Sequence, residues 1–226
     1  MPRVPPFDRR ATYEDLKRVP DIMVAEIVDG ELHASPRPAL PHANAASAVG
    51  VLIGGPFHFG RGGPGGWVVL YEPELHLRRN VVVPDLAGWR RTRLPEVPKA
   101  PFCTLAPDWV CEVLSPSTAV LDRAKKLQVY ARAKVGHAWV VDPAAHLLEV
   151  LQLEAGRWVI AAAHAGAKVV RAEPFTELEL ELGLLWAGVA DEAESDTRAA
   201  PRRRRTAGTS KRAVTDSRAG IAGRTR

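Results

Sequence analysis

The sequence has few cysteines, no export-type leader and no apolar run long enough to cross a membrane. Its two cysteines, Cys103 and Cys111, do not form a C-x-x-C pair, so we expect free thiols in a reducing, cytoplasmic location. The opening residues MPRVPPFDRR lack the apolar segment of a signal peptide. The apolar stretches WVIAAAHA and SAVGVLIGG are well short of the ~20 residues that a membrane-spanning helix needs. These absences argue against a disulfide-stabilised secreted domain and against a membrane protein.

The first 190 residues also lack a net charge, although the whole chain carries +5. Residues 191–226 hold ten of the 31 basic and five of the 26 acidic side chains, which leaves 21 of each in residues 1–190. Because this last segment has almost no large apolar residue, the sequence predicts a disordered basic tail after a single folded domain at 1–190. The run PRRRRTAGTSKR either binds nucleic acid through its charge or is simply a solvated tail.

The pattern of apolar residues predicts an α+β fold, with a mixed sheet flanked by helices. An Asp29-Gly30 hairpin turn joins two strands in IMVAEIVDGELHA, and Thr12 and Asp15 form a capping pair before a short helix. The segment WVCEVLS is typical of a buried strand, and STAVLDRAKKLQVYARAKVG, which follows it, is typical of a helix. The period-2 stretch ELELELGLL predicts a closing strand.

Two carboxylates lie where buried strands are predicted. Asp85 follows VVVP, and Glu112 lies inside WVCEVL. A buried ionised carboxylate is costly unless it is paired or binds a cation, and hard cations prefer carboxylate oxygens. Each residue alone has an ordinary alternative, because a strand-end aspartate can cap a turn and a strand glutamate can face water. Where an E-x-K motif would have its lysine, two residues beyond Glu112, the chain has Leu114.

The helix predicted after Glu112 supplies two candidate lysines, Lys125 and Lys126. If the helix packs back against the strand, an ammonium group beside Glu112 would orient a water for attack on phosphorus or stabilise the developing charge. Helical geometry does not choose between the two, because both lie roughly 130° from the apolar face at ~100° per residue. Either could instead be a surface lysine, for example one paired with Asp122.

Four features follow one another along the chain: EIVDGEL, His42, VPDLAGW and CEVLSPSTAVLDRAKKLQVYARAKVGHAWVVDP. Together they resemble the Uma-type restriction endonuclease family of the PD-(D/E)xK nuclease superfamily. The resemblance covers roughly residues 10–188 and implies a restriction-endonuclease-like core. In one departure, the family's GVxEYW reads VGHAW here, with His137 in the glutamate position. We expect no effect of this departure on the metal site.

The resemblance implies a Mg²⁺-dependent endonuclease that hydrolyses phosphodiester bonds of DNA, with Mn²⁺ as an alternative metal. Asp85 and Glu112 would ligate the metal together with the carbonyl of Val113. Lys126, four residues before the family's tyrosine, would position the water, and Glu26 would assist through a second metal, a water or the lysine. Two carboxylates suffice because magnesium keeps several waters. Nucleases of this class often cut two strands with two sites, which makes a homodimer a natural expectation.

Other residues have two interpretations each. His42, the one histidine at a family-matched position, is either a cleft-edge substrate contact or a capping or surface residue. Arg90, Arg91 and Arg93 follow the Asp85 strand, and they either contact phosphates near the metal or belong to a solvated loop.

The alternative to a nuclease is a catalytically inactive nucleic-acid-binding or interaction module with the same fold. The presence of Asp85, Glu112 and Lys126 together favours the nuclease.

Overall fold

The computed structural model describes residues 9–116 and 118–189, and it has the α+β architecture that the sequence predicts. The elements are α1 (Tyr13–Leu16), β1 (Met23–Val28), β2 (Glu31–Pro36), α2 (Leu40–Ile53), β3 (Trp67–Tyr71), β4 (Leu75–Leu77), β5 (Asn80–Val82), β6 (Leu86–Arg90), β7 (Trp109–Val113), α3 (Leu127–Arg132), β8 (His137–Asp142), β9 (Leu147–Glu154), β10 (Arg157–Ala165), β11 (Val169–Val170), β12 (Leu180–Glu181) and α4 (Gly183–Trp186). There are also two π-helical turns in the described residues. Gly54–His58 follows α2, and Leu121–Lys126 precedes α3.

The strands of the described residues form three sheets. The largest has the order β10-β9-β8-β7-β6-β3, and a four-stranded sheet has the order β2-β1-β5-β4, while β11 pairs with β12. Within the six-stranded sheet only β7 and β8 run parallel, because the helical segment that contains α3 connects them. The sheet is therefore mixed, as predicted, and the helix after β7 crosses over one of its faces.

Strand β7 is buried along its whole length, and its side chains alternate between two hydrophobic cores. Cys111 and Val113 belong to the core that α2 and α4 cover, whereas Val110 and Leu114 belong to the core beneath α3. Because successive side chains point to opposite faces of a sheet, Glu112 faces the α3 side. The residue at the missing E-x-K lysine position is thus a core leucine, and any partner of Glu112 has to come from elsewhere in the chain.

Two local predictions near the start of the chain are confirmed. Asp29 and Gly30 have φ of 52° and 90° in the turn between β1 and β2. Thr12 and Asp15 form a capping box at the start of α1, and Arg9 pairs with the same Asp15 carboxylate at 2.8 Å. These contacts tie down the segment that leads into α1.

The predicted closing strand at ELELELGLL is wrong over most of its length. Only Leu180–Glu181 is a strand, and Gly183–Trp186 forms α4. Leu180, Leu182 and Leu185 are all buried in the core that α2 covers. An alternating strand would bury Leu184 on the same face as Leu180 and Leu182, whereas the helical turn buries Leu185 and leaves Leu184 exposed. The period-2 pattern thus holds as far as Leu182 and fails where α4 begins.

The described residues as far as Val189 belong to one compact unit. The predicted disordered tail at 191–226 lies outside the residues that the structure describes, so that prediction stays a prediction. Among the described residues, no helix combines the length and the apolar character needed to cross a membrane.

Candidate active site

A pocket lies where the four-stranded sheet, the start of α2, the end of β7 and the π-helical turn before α3 meet. Five carboxylates and one lysine line it, together with His42 and Val113. These charged residues are Glu26, Glu72, Asp85, Glu112, Asp122 and Lys126. The structure thus brings together every residue that the sequence predicts for the site, although they come from four separate parts of the chain.

Lys126 lies at the centre of the charged cluster and only 3% of its side chain is exposed. Its Nζ is 2.9 Å from Glu112 Oε2, 3.1 Å from Glu26 Oε1 and 3.4 Å from Asp122 Oδ1, and it donates to the Val83 carbonyl at 3.1 Å. Burial alone would lower the pKa of Lys126, but the surrounding carboxylates raise it well above its ordinary value. Lys126 is therefore an ammonium ion at neutral pH.

The neighbouring lysine has a different environment. Lys125 pairs with Glu31 on β2, and 41% of the Lys125 side chain is exposed. Glu31 is also largely exposed. The structure therefore resolves the choice that helical geometry left open, because only Lys126 reaches Glu112.

Both oxygens of Glu112 have donors from the helical segment that follows it. Oε2 accepts from Lys126, and Oε1 accepts from the Tyr130 hydroxyl at 2.5 Å. Burial raises the pKa of Glu112 well above its usual range, and the Lys126 ammonium acts in the opposite direction. Sequence reasoning used Tyr130 only as a family landmark. The four-residue spacing from Lys126 was the available signal, because it places both side chains on one side of a helix.

Asp85 lies directly before β6, beside the end of β7. Its Oδ2 accepts from the Val113 backbone N–H at 2.7 Å, and its Oδ1 is 3.1 Å from Nε2 of His42. Burial lowers the pKa of His42, but the contacts with Asp85 outweigh it, so the pKa lies above its ordinary value. His42 is buried and lines the pocket, which excludes the surface position that was one of the alternatives for it.

Glu26, on β1, is linked to the same segment that carries Asp85. Its Oε1 accepts from the Val83 backbone N–H at 2.7 Å, while the Val83 carbonyl accepts from Lys126. The backbone two residues before Asp85 is therefore held on both sides by the charged cluster. This connection ties the four-stranded sheet to the helix that supplies the lysine.

Asp122 is a member of the cluster that sequence reasoning missed, since it was considered only as a partner for a surface lysine. It is buried, and burial raises its pKa. Its contact with Lys126 has the i, i+4 spacing that was noted, but inside the pocket instead of on the surface. The D-x-x-x-K spacing thus indicated the contact between Asp122 and Lys126. It did not show that both side chains are buried.

Arg90, at the end of β6, and Arg91 and Arg93, just after it, do not line the pocket. They lie at the opposite end of that five-residue strand from Asp85, roughly 16 Å away at 3.3 Å per residue. The Arg90 guanidinium lies over the Trp67 ring at 4.8 Å, Arg91 donates to the Trp67 carbonyl, and Arg93 pairs with an aspartate. These contacts support the fold and disfavour a phosphate contact beside Asp85.

His137, which departs from the family pattern, begins β8 and does not line the pocket. The expectation that this departure leaves the site intact agrees with its position.

The donors of the pocket suit a hard divalent cation. Five carboxylates are matched by one lysine, one histidine and Arg37, which pairs with Glu72 at 3.4 Å, so an excess of negative charge remains. Each oxygen of Asp85 and of Glu112 has one partner in the structure and two lone pairs, so it can still face a cation. Among the described residues, no three His, Cys, Asp or Glu side chains are already grouped as a metal site. A magnesium ion there would use few protein ligands and several waters.

Comparisons with known proteins agree with this fold. A search of the curated proteins found no match. Among solved structures, one similar chain is described as "a putative nuclease belonging to DUF820" from Anabaena variabilis. It is 18% identical, with a TM-score of 0.60, and the match covers 78% of this chain and 97% of that one. The family model described as "Putative restriction endonuclease", Uma2, matches residues 10–185. The chain therefore belongs to the Uma2 family.

Proposed function

We propose that this protein is a metal-dependent endonuclease that hydrolyses the phosphodiester bonds of DNA, with Mg²⁺ as its cofactor and Mn²⁺ as an alternative. The observation that carries the proposal is the meeting of Asp85, Glu112, Glu26 and Lys126 in one acidic pocket. Membership of a restriction endonuclease family and the nuclease-like fold support it. The two free, buried cysteines agree with the reducing cytoplasm in which such an enzyme would meet DNA.

The metal would be held by Asp85, Glu112 and the carbonyl of Val113, and when bound it would polarise the phosphate and its attacking water. The residues around these ligands keep them in place. Val113 N–H fixes one oxygen of Asp85, and Tyr130 fixes one oxygen of Glu112. The excess negative charge of the pocket would repel a DNA phosphate, so bound cations are needed before the substrate can approach.

Lys126 would act as a charge and not as a base. Because its pKa is raised well above its ordinary value, it has no free lone pair at neutral pH with which to accept a proton. An ammonium at this position can stabilise the charge that develops on the phosphate. Its three N–H donors already face four acceptors, so it would hold a water only after one of these acceptors gives way. Glu26 and Asp122 restrain the ammonium and leave it oriented for this purpose.

The test is cleavage of plasmid and duplex DNA by the full chain in Mg²⁺ and in Mn²⁺. Glu112→Gln and Lys126→Met remove the proposed ligand charge and the ammonium, and Lys125→Met is the matched control, because that lysine lies one residue away on the surface. We expect loss of cleavage in the first two variants and wild-type activity in the third. Cleavage that persists unchanged in the first two variants contradicts the proposal. Absence of cleavage by the wild-type chain in both metals favours an inactive binding module. Light scattering would give the molecular mass of each variant in solution and would show whether the chain forms a homodimer.

A further inference from the structure

Two hairpin turns meet at the end of the four-stranded sheet. One is the Asp29-Gly30 turn between β1 and β2, and the other is the Arg78-Arg79 turn between β4 and β5. Asn80 joins them, because its buried side-chain oxygen accepts from the Asp29 backbone N–H at 2.7 Å. Together with residues 10–12 they border an open groove, which we call the arginine groove after Arg10, Arg78 and Arg79.

The three arginines of the groove are exposed and carry uncompensated charge. Among the residues that the structure describes, none of the three forms an ion pair, whereas most lysines and arginines around them do. The one carboxylate that lines the groove, Asp29, is already engaged by Arg132. The arginine groove is therefore a concentrated positive surface on a domain that has no net charge overall.

The backbone fixes where these arginines stand. The aliphatic stem of Arg10 packs on Gly30 so closely that a Cβ on Gly30 would lie 3.1 Å from Arg10 Cγ. Ala11 N–H also donates to the Gly30 carbonyl at 2.8 Å. Arg78 has a φ of 61°, a left-handed conformation that glycine or asparagine adopts with less strain. The hairpin thus holds an arginine at a position where its backbone conformation is unfavourable.

The arginine groove lies within reach of a ligand that occupies the candidate active site. Arg78 is seven residues from Asp85, and Gly30, on which Arg10 packs, is four residues from Glu26, so the backbone of the groove is at most roughly 24 Å from the pocket residues. Duplex DNA rises ~3.4 Å per base pair, so this upper limit corresponds to about seven base pairs. A duplex that is held in the pocket and runs along this end of the four-stranded sheet would present its phosphates to the groove.

We propose that the arginine groove binds the phosphate backbone of the substrate duplex within about seven base pairs of the bond that is cut. The inference rests on the proposed function and adds a second contact with the same substrate. Arginines recognise phosphate oxygens through paired N–H donors, and a groove of unpaired arginines favours a polyanion over a neutral ligand. The contact positions the duplex and reads no sequence.

The experiment uses the full chain with Glu112→Gln, so that binding is measured without cleavage. Arg78→Ala/Arg79→Ala and Arg10→Ala are compared with Arg157→Ala/Lys168→Ala, which removes the same charge from exposed positions outside both sites. The probes are DNA duplexes of ~30 and ~8 base pairs with the same cut site placed so that the shorter one ends before the groove. Affinity is measured as a function of salt concentration.

We expect the slope of log affinity against log salt for the long duplex to fall by about two in the Arg78/Arg79 variant and by about one in the Arg10 variant. The short duplex and the control variant should show the wild-type slope. In the otherwise wild-type chain, KM for the long duplex should rise with little change in kcat.

An unchanged slope, or an equal change in the control variant or on the short duplex, overturns the inference. The two proposals fail separately. If DNA is cleaved in a Lys126-dependent way but the slopes do not change, only the groove assignment fails. If the wild-type chain does not cleave DNA but the groove variants show a smaller salt dependence of DNA affinity, only the nuclease assignment fails.

Discussion

The acidic pocket and the arginine groove differ in how their charged side chains are placed and paired. In the pocket the charges are buried, and Lys126 is surrounded by three carboxylates and a carbonyl. In the groove the arginines are exposed, and a ligand from outside the chain could bind them. A buried charge has to be matched when the protein folds, whereas an exposed charge can remain unmatched at little cost because water solvates it. The pocket is thus suited to chemistry on a pre-set geometry, and the groove to reversible binding.

The largest effect should follow from removing the ammonium at the centre of the pocket. Lys126→Ala leaves Glu26, Glu112 and Asp122 without their shared partner, so we expect a loss of ~3–5 kcal/mol in the free energy of unfolding at neutral pH. The loss should shrink in acid, where these carboxylates become protonated. Urea unfolding at neutral and at acidic pH measures this loss of stability. Lys125→Ala, which breaks an exposed pair, should cost no more than ~1 kcal/mol, and equal losses in the two variants would contradict the comparison.

A smaller effect should follow from loss of one hydroxyl at the same cluster. Tyr130→Phe keeps the ring but removes the donor to Glu112 Oε1, so we expect a loss of ~1.5–3 kcal/mol and weaker Mg²⁺ binding by calorimetry. Tyr13→Phe is the matched control, because the Tyr13 hydroxyl donates to Glu74 at 2.8 Å outside the pocket. If both variants bind Mg²⁺ like the wild type, Tyr130 does not position Glu112 for the metal.

On the groove side, Gly30→Ala should disturb the position of Arg10 without removing its charge. The new Cβ would press on the Arg10 stem, and a φ of 90° is unfavourable for alanine, so we expect a loss of ~1–2 kcal/mol. Long-duplex binding should weaken as it does in Arg10→Ala. Gly156→Ala, also at a positive φ but in open space and outside the groove, controls for backbone strain and should leave DNA binding unchanged.

The smallest effect concerns Asp15, which anchors the segment that carries Arg10. Hydrogen bonds from Arg9 and Thr12 hold the pKa of the Asp15 carboxyl well below its usual 3.8. A lowered pKa in the folded state means that the ionised group stabilises the fold above pH 3.8, and this contribution is lost as the pH falls further. Asp15→Asn should therefore reduce stability most at neutral pH and by a smaller amount near pH 2. Equal losses at both pH values in thermal unfolding would exclude this electrostatic origin.

The parts of the site that the sequence predicts are those set by local pattern. Glu112 stands out because a carboxylate interrupts a buried strand, and Asp85 because it follows the apolar run VVVP. The choice of Lys126 over Lys125 needed the family pattern, since the assumed ~100° per residue does not hold through the π-helical turn that contains both.

The remaining members of the site depend on contacts between distant segments. Glu26 reaches Lys126 only because the four-stranded sheet packs beside the helix, and no periodicity of β1 shows that. The sequence leaves the position of His42 open, whereas in the structure Asp85, directly before β6, contacts its ring. Such contacts arise from tertiary packing, which a pattern along one segment does not contain.

The π-helical turn Leu121–Lys126 makes the site sensitive to deletions. A π-turn closes on the fifth residue instead of the fourth, so it accommodates one residue more than an α-helical turn. Deleting one residue from this turn would allow an uninterrupted α-helix and would even improve its hydrogen bonding. It would also rotate Asp122 relative to Lys126 and Tyr130 by about 100° and take it away from the lysine. Substitutions at the exposed positions of this segment should therefore be tolerated, whereas a change in its length should not.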